Sequence, residues 1–304
     1  MLVNSYHRMA RASGVLIVPN AAFAGAAVDL AVYCAAQHAR SVTSNTPVRR
    51  ALVYTTANQA SVPSGGTRAT RQAMASAMRD VARVMTDPFS LGGKLADGKR
   101  EEDQDKVLQV QDDMYVPRLK GWLAPNMYAF FETRLPRRSN GLLYEHNRNL
   151  TGYGPEFNVQ QFALTSTQSQ AQQLRRTQMS TAAEEEQLKK EGKLYGQGEG
   201  APKEERKKTH TRYFVEVYTS DEEAPTTKVQ LDAGDPYQET GHVAIEVALT
   251  LFQDIPGRCS CSCLGGGVLT PAVAGGKRLI QRLNGTGMRI SPVDSFDTTL
   301  PPVD

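Results

Sequence analysis

The hydrophobic pattern of the first 40 residues predicts one step of a parallel α/β fold. Residues 3–12 have a helical pattern, and residues 15–18 form a short apolar run that is typical of a buried strand. A loop through Pro19 and Asn20 leads into a long apolar helix that ends near Arg40. This β-loop-α step is typical of a dinucleotide-binding domain.

Further along the chain, the pattern of apolar positions predicts a second sheet. β-branched and aromatic side chains are frequent in several short segments, as they are in strands. The predicted strands cover residues 49–56, 156–166, 211–220 and 226–234. The short turn between the last two segments indicates antiparallel pairing, with helices packed on one face of the sheet. The predicted fold class is therefore a remnant of a parallel α/β sheet followed by an α+β domain with a mixed or antiparallel sheet.

Two helices are predicted near the C-terminus. Apolar residues recur at helical spacing over residues 236–252. The residues that carry this spacing are Ile245, Ala248, Leu249 and Phe252. A shorter helix is predicted over residues 277–287, closed by Asn284 and Gly285 as a C-cap.

Composition excludes some classes of function. The chain has 304 residues, of which 40% are hydrophobic and 22% are charged, which is ordinary for a globular protein. The net charge is only +3, and no cluster of Lys and Arg interleaves with aromatic residues. Nucleic-acid binding is therefore not expected. No window holds about 18 uninterrupted apolar residues, so no transmembrane segment is predicted.

The N-terminal composition and the cysteine content bear on the compartment. The first 28 residues include Arg8 and Arg11 but no Asp or Glu, which resembles a mitochondrial transit peptide. A surface helix preceding a strand is the favoured interpretation. Four cysteines are too few for a disulfide framework in a chain of this length, which favours reduced thiols. We predict an intracellular protein, cytoplasmic or mitochondrial.

Two groups of residues have side chains that could bind a metal ion. Cys259, Cys261 and Cys263 form C-x-C-x-C, but a structural zinc site typically needs two separated cysteine pairs, and no second pair exists. His242 and Glu246 lie four residues apart on one predicted helix face, without a third ligand. We interpret the cysteine segment as an exposed loop and the side of the helix with His242 and Glu246 as a solvated face. We therefore predict no metal site.

The sequence lacks the common catalytic motifs. Neither G-x-G-x-x-G nor a phosphate-binding P-loop occurs. Ser139 lacks the G-x-S-x-G context of an activated nucleophile. Arg137 and Arg138 could pair with a carboxylate or a phosphate, although a salt bridge is the more common role. No catalytic residue is predicted.

Several segments together resemble one enzyme family. The segments "SYHRMARASGVLIVPNAAFAGAAVDLAVY", "SGGTRAT", "WLAPNMYAFFETRLPRRSNGLLYEHNRNLTGYGPEF", "GEGAPKEERKK", "GDPYQETGHVAIEVALTLF" and "GGGVLTPAVAGGKRLIQRLNGTGMRIS" resemble, in the same order, landmarks of the saccharopine dehydrogenase-like oxidoreductases, including the trans-acting enoyl reductases. The resemblance extends from about Asn4 to Ser291.

The resemblance implies an incomplete cofactor site. Family members carry an N-terminal Rossmann unit whose glycine-rich turn holds the pyrophosphate of NAD(P), and that unit does not precede the matching segment here. The family's G-F-D-S-x-P loop is replaced by Ala22–Ala27, which leaves Phe23 and Asp29 as weak remnants of cofactor binding. Candidates for a substrate face, which we expect to maintain the shape of the second domain, are Gly65, Gly66, Thr67, Arg137, Arg138, Ser139 and Asn140.

The pattern and the resemblance together predict the domain organisation. Residues 1–50 are the residual part of a dinucleotide-binding domain, and residues 265–291 return to it. Residues 51–264 form an α+β domain of the substrate-binding or dimerisation type, with a charged insertion at about 169–210. Residues 292–304 are predicted to form a loose tail.

Three functions follow from the resemblance. The favoured hypothesis is a pseudoenzyme, catalytically inactive, that serves as a structural or assembly subunit and binds no cofactor. One alternative is an N-terminally truncated NAD(P)-dependent oxidoreductase acting on a lipid-like or amino-acid-derived substrate, which would bind NAD(P) if the native protein is longer. The other is a small-ligand or lipid-binding module whose pocket is lined by the aromatic run from Trp122 to Phe131. A further protein chain or a homo-oligomer is expected to cover the incomplete sheet.

Overall fold

A computed structural model describes residues 2–57, 62–76, 82, 86–95, 110, 114–147, 152–178, 181–253 and 266–299. The predicted loop with Cys259, Cys261 and Cys263 lies outside the described residues. The helices are α1 Leu2–Ala12, α2 Phe23–Val42, α3 Gly65–Ser76, α4 Ala129–Glu132, α5 Arg134–Asn147, α6 Gln168–Gln178, α7 Thr181–Lys190, α8 Lys203–Arg206, α9 Pro236–Gln253 and α10 Pro271–Thr286. The strands are β1 Leu16–Ile17, β2 Arg50–Ala57, β3 Tyr115–Val116, β4 Gly121–Ala124, β5 Asn158–Thr165, β6 Thr211–Tyr218, β7 Thr227–Ala233, β8 Gly267–Val268 and β9 Arg289–Pro292.

The strands of the described residues form two sheets. A seven-stranded sheet has the order β3-β4-β5-β2-β6-β7-β9, and in it only β2 and β5 run parallel to each other. A second sheet consists of β1 and β8, which pair in parallel with Leu16 opposite Gly267. This mixed α/β architecture confirms the predicted fold class.

The main core lies between one face of the seven-stranded sheet and the helices α2, α9 and α10. Helix α2 is its centre, because residues from Ala26 to Ala39 are buried on nearly all sides. The many alanines of α2 let neighbouring backbones approach closely, and the strands contribute larger side chains such as Val53, Val215 and Leu231. The continuous apolar character of α2 in the sequence is thus the character of a buried helix.

The opposite face of the sheet carries a smaller core around a buried glutamate that pairs with the half-exposed Arg118. Tyr54 and Phe214 pack there with leucines of neighbouring segments. Glu216 is fully buried among them, and Arg118 donates to both of its carboxylate oxygens at 2.8 and 2.7 Å. The Tyr218 hydroxyl donates to the same carboxylate at 3.0 Å, so the buried charge is well satisfied.

The charged insertion is attached to α3 by ion pairs. Arg68 of α3 pairs with Glu185 at 3.2 Å, and Arg71 pairs with Glu184, both on α7. Some charged residues of this segment therefore form ion pairs that connect it to α3, in addition to those that face the solvent. No helix within the described ranges combines the length and apolarity that a membrane crossing requires.

Helix α10 differs from its prediction at both ends. Its first turn begins at Pro271, six residues before the predicted start. A kink at Gly276, where φ is +48°, separates this turn from the stretch up to Thr286, and that stretch begins where predicted. Pro271 occupies the first helical turn, where a missing N–H costs nothing, and the Thr270 hydroxyl accepts a hydrogen bond from the Val273 N–H at 3.4 Å. The predicted C-cap at Asn284 and Gly285 is wrong, because both residues lie within the helix.

Helix α9 forms where predicted, but its orientation differs from that of a usual amphipathic helix. Val243 and Val247 face the core. Ile245 and Phe252 belong to the apolar pattern that predicts the helix, and they lie exposed on its outer side.

A kink at Gly25 opens helix α2. Gly25 has φ of +94°, a conformation that L side chains rarely adopt, and its N–H donates to Glu132 Oε1 at 3.0 Å. A Cβ placed on Gly25 would come within 2.6 Å of Leu135 Cδ1. Both the backbone angle and the lack of space therefore require glycine at this position.

We expect Gly25→Ala to lower the free energy of unfolding by about 1–3 kcal/mol, because the methyl group adds strain at a positive φ and a steric clash. Urea denaturation followed by circular dichroism measures the change. Gly285→Ala is the matched control, since Gly285 lies in α10 with open space around it, and alanine there favours the helix. Equal stability of Gly25→Ala and wild type would contradict the interpretation.

Candidate functional site

Four consecutive candidate residues, Arg137 to Asn140, lie on helix α5 and are all buried. Consecutive residues point in different directions around a helix, so α5 is enclosed by the fold at this level. Each side chain reaches a different segment of the chain.

A three-helix junction forms around Asp29, which is fully buried on α2. Ser139 of α5 donates its hydroxyl to Asp29 Oδ1 at 2.5 Å, and the Ala272 N–H in the first turn of α10 donates to Oδ2 at 2.8 Å. The Ser139 and Thr270 hydroxyls also lie 2.5 Å apart. We call these residues, Asp29, Ser139, Thr270 and Ala272, the Asp29 junction.

The ionisation of Asp29 is governed by its burial. Burial raises the pKa of Asp29 to about 6, against the hydrogen bonds from Ser139, Ala272 and Thr270, which act in the opposite direction. The N-terminus of α10 is a favourable place for a negative charge, since the orphan N–H groups and the helix dipole both point there. The carboxylate thus caps a helix from a distant part of the sequence.

Asn140 and Arg137 hold the start of strand β5 and the loop before it. Asn140 Oδ1 accepts the Tyr153 N–H at 2.6 Å, and Asn140 Nδ2 donates to the Gly154 carbonyl at 2.8 Å. The Arg137 guanidinium donates to Asn158 Oδ1 and to the Val159 carbonyl, at 2.8 and 2.9 Å. Both side chains satisfy buried backbone groups, which would otherwise destabilise the fold.

Arg138 reaches the β1–β8 side of the molecule and contacts His7 of α1. Its guanidinium donates to the carbonyls of Leu91 and Val268, at 2.8 and 2.5 Å, and lies 3.1 Å from His7 Nδ1. Burial lowers the pKa of Arg138 to about 10. The Val268 N–H and carbonyl oxygen also lie near His7 Nδ1, at 3.1 and 3.3 Å. Burial, followed by the Arg138 charge, lowers the pKa of His7.

Glu132 is a buried carboxyl that the sequence interpretation missed. It is fully enclosed, and besides the Gly25 N–H it accepts a hydrogen bond from Gln161 Nε2 at 2.5 Å. Burial raises the pKa of Glu132. The only local signal is an acidic residue within the aromatic and apolar run "MYAFFETRL", where a charge would need a specific partner.

The remaining candidates lie elsewhere. Gly65, Gly66 and Thr67 begin helix α3, where the Thr67 N–H donates to Ser64 Oγ at 3.2 Å and the Thr67 hydroxyl lies 2.9 Å from the Tyr237 hydroxyl. Phe23 is buried with its ring 5.9 Å from that of Tyr213, in an edge-to-face arrangement. The candidate residues therefore divide between the α2–α5 region and the start of α3.

A pocket of about 300 Å³ lies at the ends of β6, β7 and β9, away from all of these candidates. Arg212 lies in it and pairs with Asp232 at 2.7 Å and with Asp297 at 3.2 Å. The side chains that line it are His210, Thr211, Arg212, Asp232, Ala233, Arg289 and Asp297. Within the described residues, no group of three or more His, Cys, Asp or Glu side chains is placed to hold a metal ion. His242 instead contacts Glu239 at 2.8 Å, and Glu246 pairs with Arg282 at 2.6 Å.

Comparison of the chain with known protein families and with curated proteins finds no match.

The Asp29 junction generates a pH-dependent prediction. A carboxyl whose pKa is raised on folding binds its proton more tightly in the folded state, so its contribution to stability falls as the pH rises from about 4 to 6. The rise from 3.8 to about 6 corresponds to roughly 3 kcal/mol, at about 1.4 kcal/mol for a tenfold change. Asp29→Asn removes this titration, since the amide can accept from Ala272 and donate to Ser139.

We therefore expect the unfolding free energy of Asp29→Asn, relative to wild type, to increase by about 2–3 kcal/mol between pH 4 and pH 7. Urea denaturation at half-unit pH steps measures the difference. Asp294→Asn, which alters an exposed carboxylate, is the control for general charge effects. A difference between Asp29→Asn and wild type that does not change with pH would rule out the titration of Asp29 in this range.

Proposed function

We propose that this chain is a saccharopine dehydrogenase-like protein that acts as a non-catalytic structural or assembly subunit. The observation that carries the proposal is the use of the candidate site residues within the fold. Asp29 accepts the Ala272 N–H of α10 and a hydrogen bond from Ser139, while Arg137 and Asn140 hold strand β5 and its preceding loop. Side chains that bind or transform a substrate need free polar atoms that converge on a cavity.

The stability of these contacts supports a structural role. Both carboxylate oxygens of Asp29 accept hydrogen bonds, and Asn140 uses its amide oxygen and its amide nitrogen on the backbone of residues 153–154. Turning these groups towards a ligand would leave buried backbone N–H and C=O groups without partners, at a cost of about 1–3 kcal/mol for each group. The fold thus depends on them in their present positions.

The β1–β8 sheet supports the assembly part of the proposal. Among the described strands, β1 pairs only with β8, and a two-stranded parallel sheet is a weak unit that is normally extended or covered. Val15 beside it is half exposed, and α1 exposes Leu2, Tyr6 and Met9, which lie on one side of the helix. A partner chain that covers this side would bury these apolar groups.

Cofactor binding separates this proposal from the oxidoreductase alternative. We expect the purified 304-residue chain to show no saturable heat when NADPH or NADH is titrated to about 1 mM in isothermal titration calorimetry. The reason is that the candidate cofactor-site residues already pack against, or hydrogen-bond to, other parts of the fold. An established NADPH-dependent reductase, titrated with the same cofactor solution, is the positive control.

Saturable binding in the micromolar range would overturn the proposal in favour of an active oxidoreductase. Phe23→Ala and Asp29→Asn would then be titrated as well, since both positions are the weak remnants of a cofactor site.

A further inference from the structure

Helix α9 exposes large apolar side chains to the solvent and buries two glutamates beside Val243 and Val247. The ionisable side chains point towards the protein body, where Glu239 contacts His242 at 2.8 Å and Glu246 pairs with Arg282 of α10 at 2.6 Å. Glu239 and Glu246 are buried. A helix on the surface of a globular protein usually has the opposite arrangement.

The outer side of α9 is apolar over three turns. Ile245 is 60% exposed and Phe252 is 88% exposed. We call this surface the α9 outer face. It consists of Gly241, Ala244, Ile245, Ala248, Leu249 and Phe252, of which all but the half-buried Leu249 are exposed. It carries no charged residue, and a contiguous apolar surface of this kind marks an interaction site.

The order of large and small residues on the α9 outer face is self-complementary. If two copies of α9 pack antiparallel about a two-fold axis that passes between Glu246 and Val247, each large side chain meets a small residue. Phe252 then lies opposite Gly241 of the second copy, Ile245 opposite its Ala248, and Leu249 opposite its Ala244. A two-fold interface requires such self-complementarity, since the same surface is used twice.

The local geometry leaves room for this packing. A Cβ placed on Gly241 would meet no atom within 4 Å, so the space beside this residue is open. The small residues Gly241, Ala244 and Ala248 allow two helix axes to approach to about 8 Å, the lower end of the usual range. Because the face is uncharged, two copies also approach without repulsion between like charges.

We propose that the α9 outer face is a homodimerisation surface, with a second copy of this chain as its occupant. The surface lies on a different element from the β1–β8 sheet, and the inference does not depend on the proposed function, since an active enzyme would dimerise in the same way. A single helix pair lies at the small end of specific interfaces. We therefore expect a dissociation constant of the order of 1–100 μM.

Sedimentation velocity of the full chain at about 1 to 300 μM tests the proposal, with a reversible monomer–dimer equilibrium as the expected result. Phe252→Glu and Ile245→Glu should each weaken dimerisation at least tenfold, because a carboxylate would be buried against the small residues of the second copy. Leu194→Glu is the matched control, since Leu194 is 39% exposed in the charged insertion, and it should dimerise like wild type. Thermal unfolding of each monomer confirms that the fold is retained.

The register has its own test. Gly241→Leu places a large side chain opposite Phe252 and should also prevent dimerisation, while the open space around Gly241 lets the monomer fold. Ile245→Glu and Ala248→Lys should each be monomeric alone but form a heterodimer when mixed, because the axis pairs residue 245 of one copy with residue 248 of the other.

A wild-type chain that stays monomeric at 300 μM would overturn the proposal, and so would a dimer that the substitutions at positions 245 and 252 leave unchanged. A mixture of Ile245→Glu and Ala248→Lys that fails to associate would overturn the antiparallel register. None of these outcomes depends on NADPH binding.

Discussion

The arrangement of the helices depends on one buried carboxylate. Asp29 joins α2, α5 and α10, since it accepts hydrogen bonds from Ser139 and from the Ala272 N–H. An isolated charge would be very unfavourable in such a place, but two donors and the N-terminus of a helix stabilise it. The main sheet packs against α2 and α10, so this carboxylate joins two of the helices that form the main core.

Local periodicity was enough to predict the fold class and most of the elements. The apolar character of α2 and the β-branched content of β2 and β6 are signals carried by neighbouring residues. The parallel pairing of β2 with β5 cannot be predicted from neighbouring residues. Val53 and Gln161 are partners in this pair but lie far apart in the sequence, so only the tertiary fold brings them together. The sequence also could not predict which face of α9 enters the core. Valines lie on one side of this helix and Ile245 and Phe252 on the other, so both sides are apolar, and tertiary packing determines which side is buried.

The candidate site residues could be selected from the sequence, but their contacts could not. Asp29 and Ser139 lie 110 positions apart and meet at 2.5 Å because two helices cross. Thr270 contacts Ser139, His7 contacts Arg138 and Glu132 contacts Gly25, all without any local motif. A side chain that caps a distant helix can be recognised only when the start of that helix is known, and the sequence pattern did not predict the first turn of α10, which precedes the kink at Gly276.

The contact between Gly65 and Gly196 ties helix α3 to the charged insertion through backbone alone. A Cβ on Gly65 would lie 1.6 Å from the Gly196 carbonyl oxygen, and the Gly65 N–H donates to the Glu199 carbonyl at 3.0 Å. Two main chains this close leave no space in which side chains could adapt to a new neighbour. A chimera that replaces residues 168–206 with a foreign segment must therefore replace α3 as well, because the two pieces fit only as a pair.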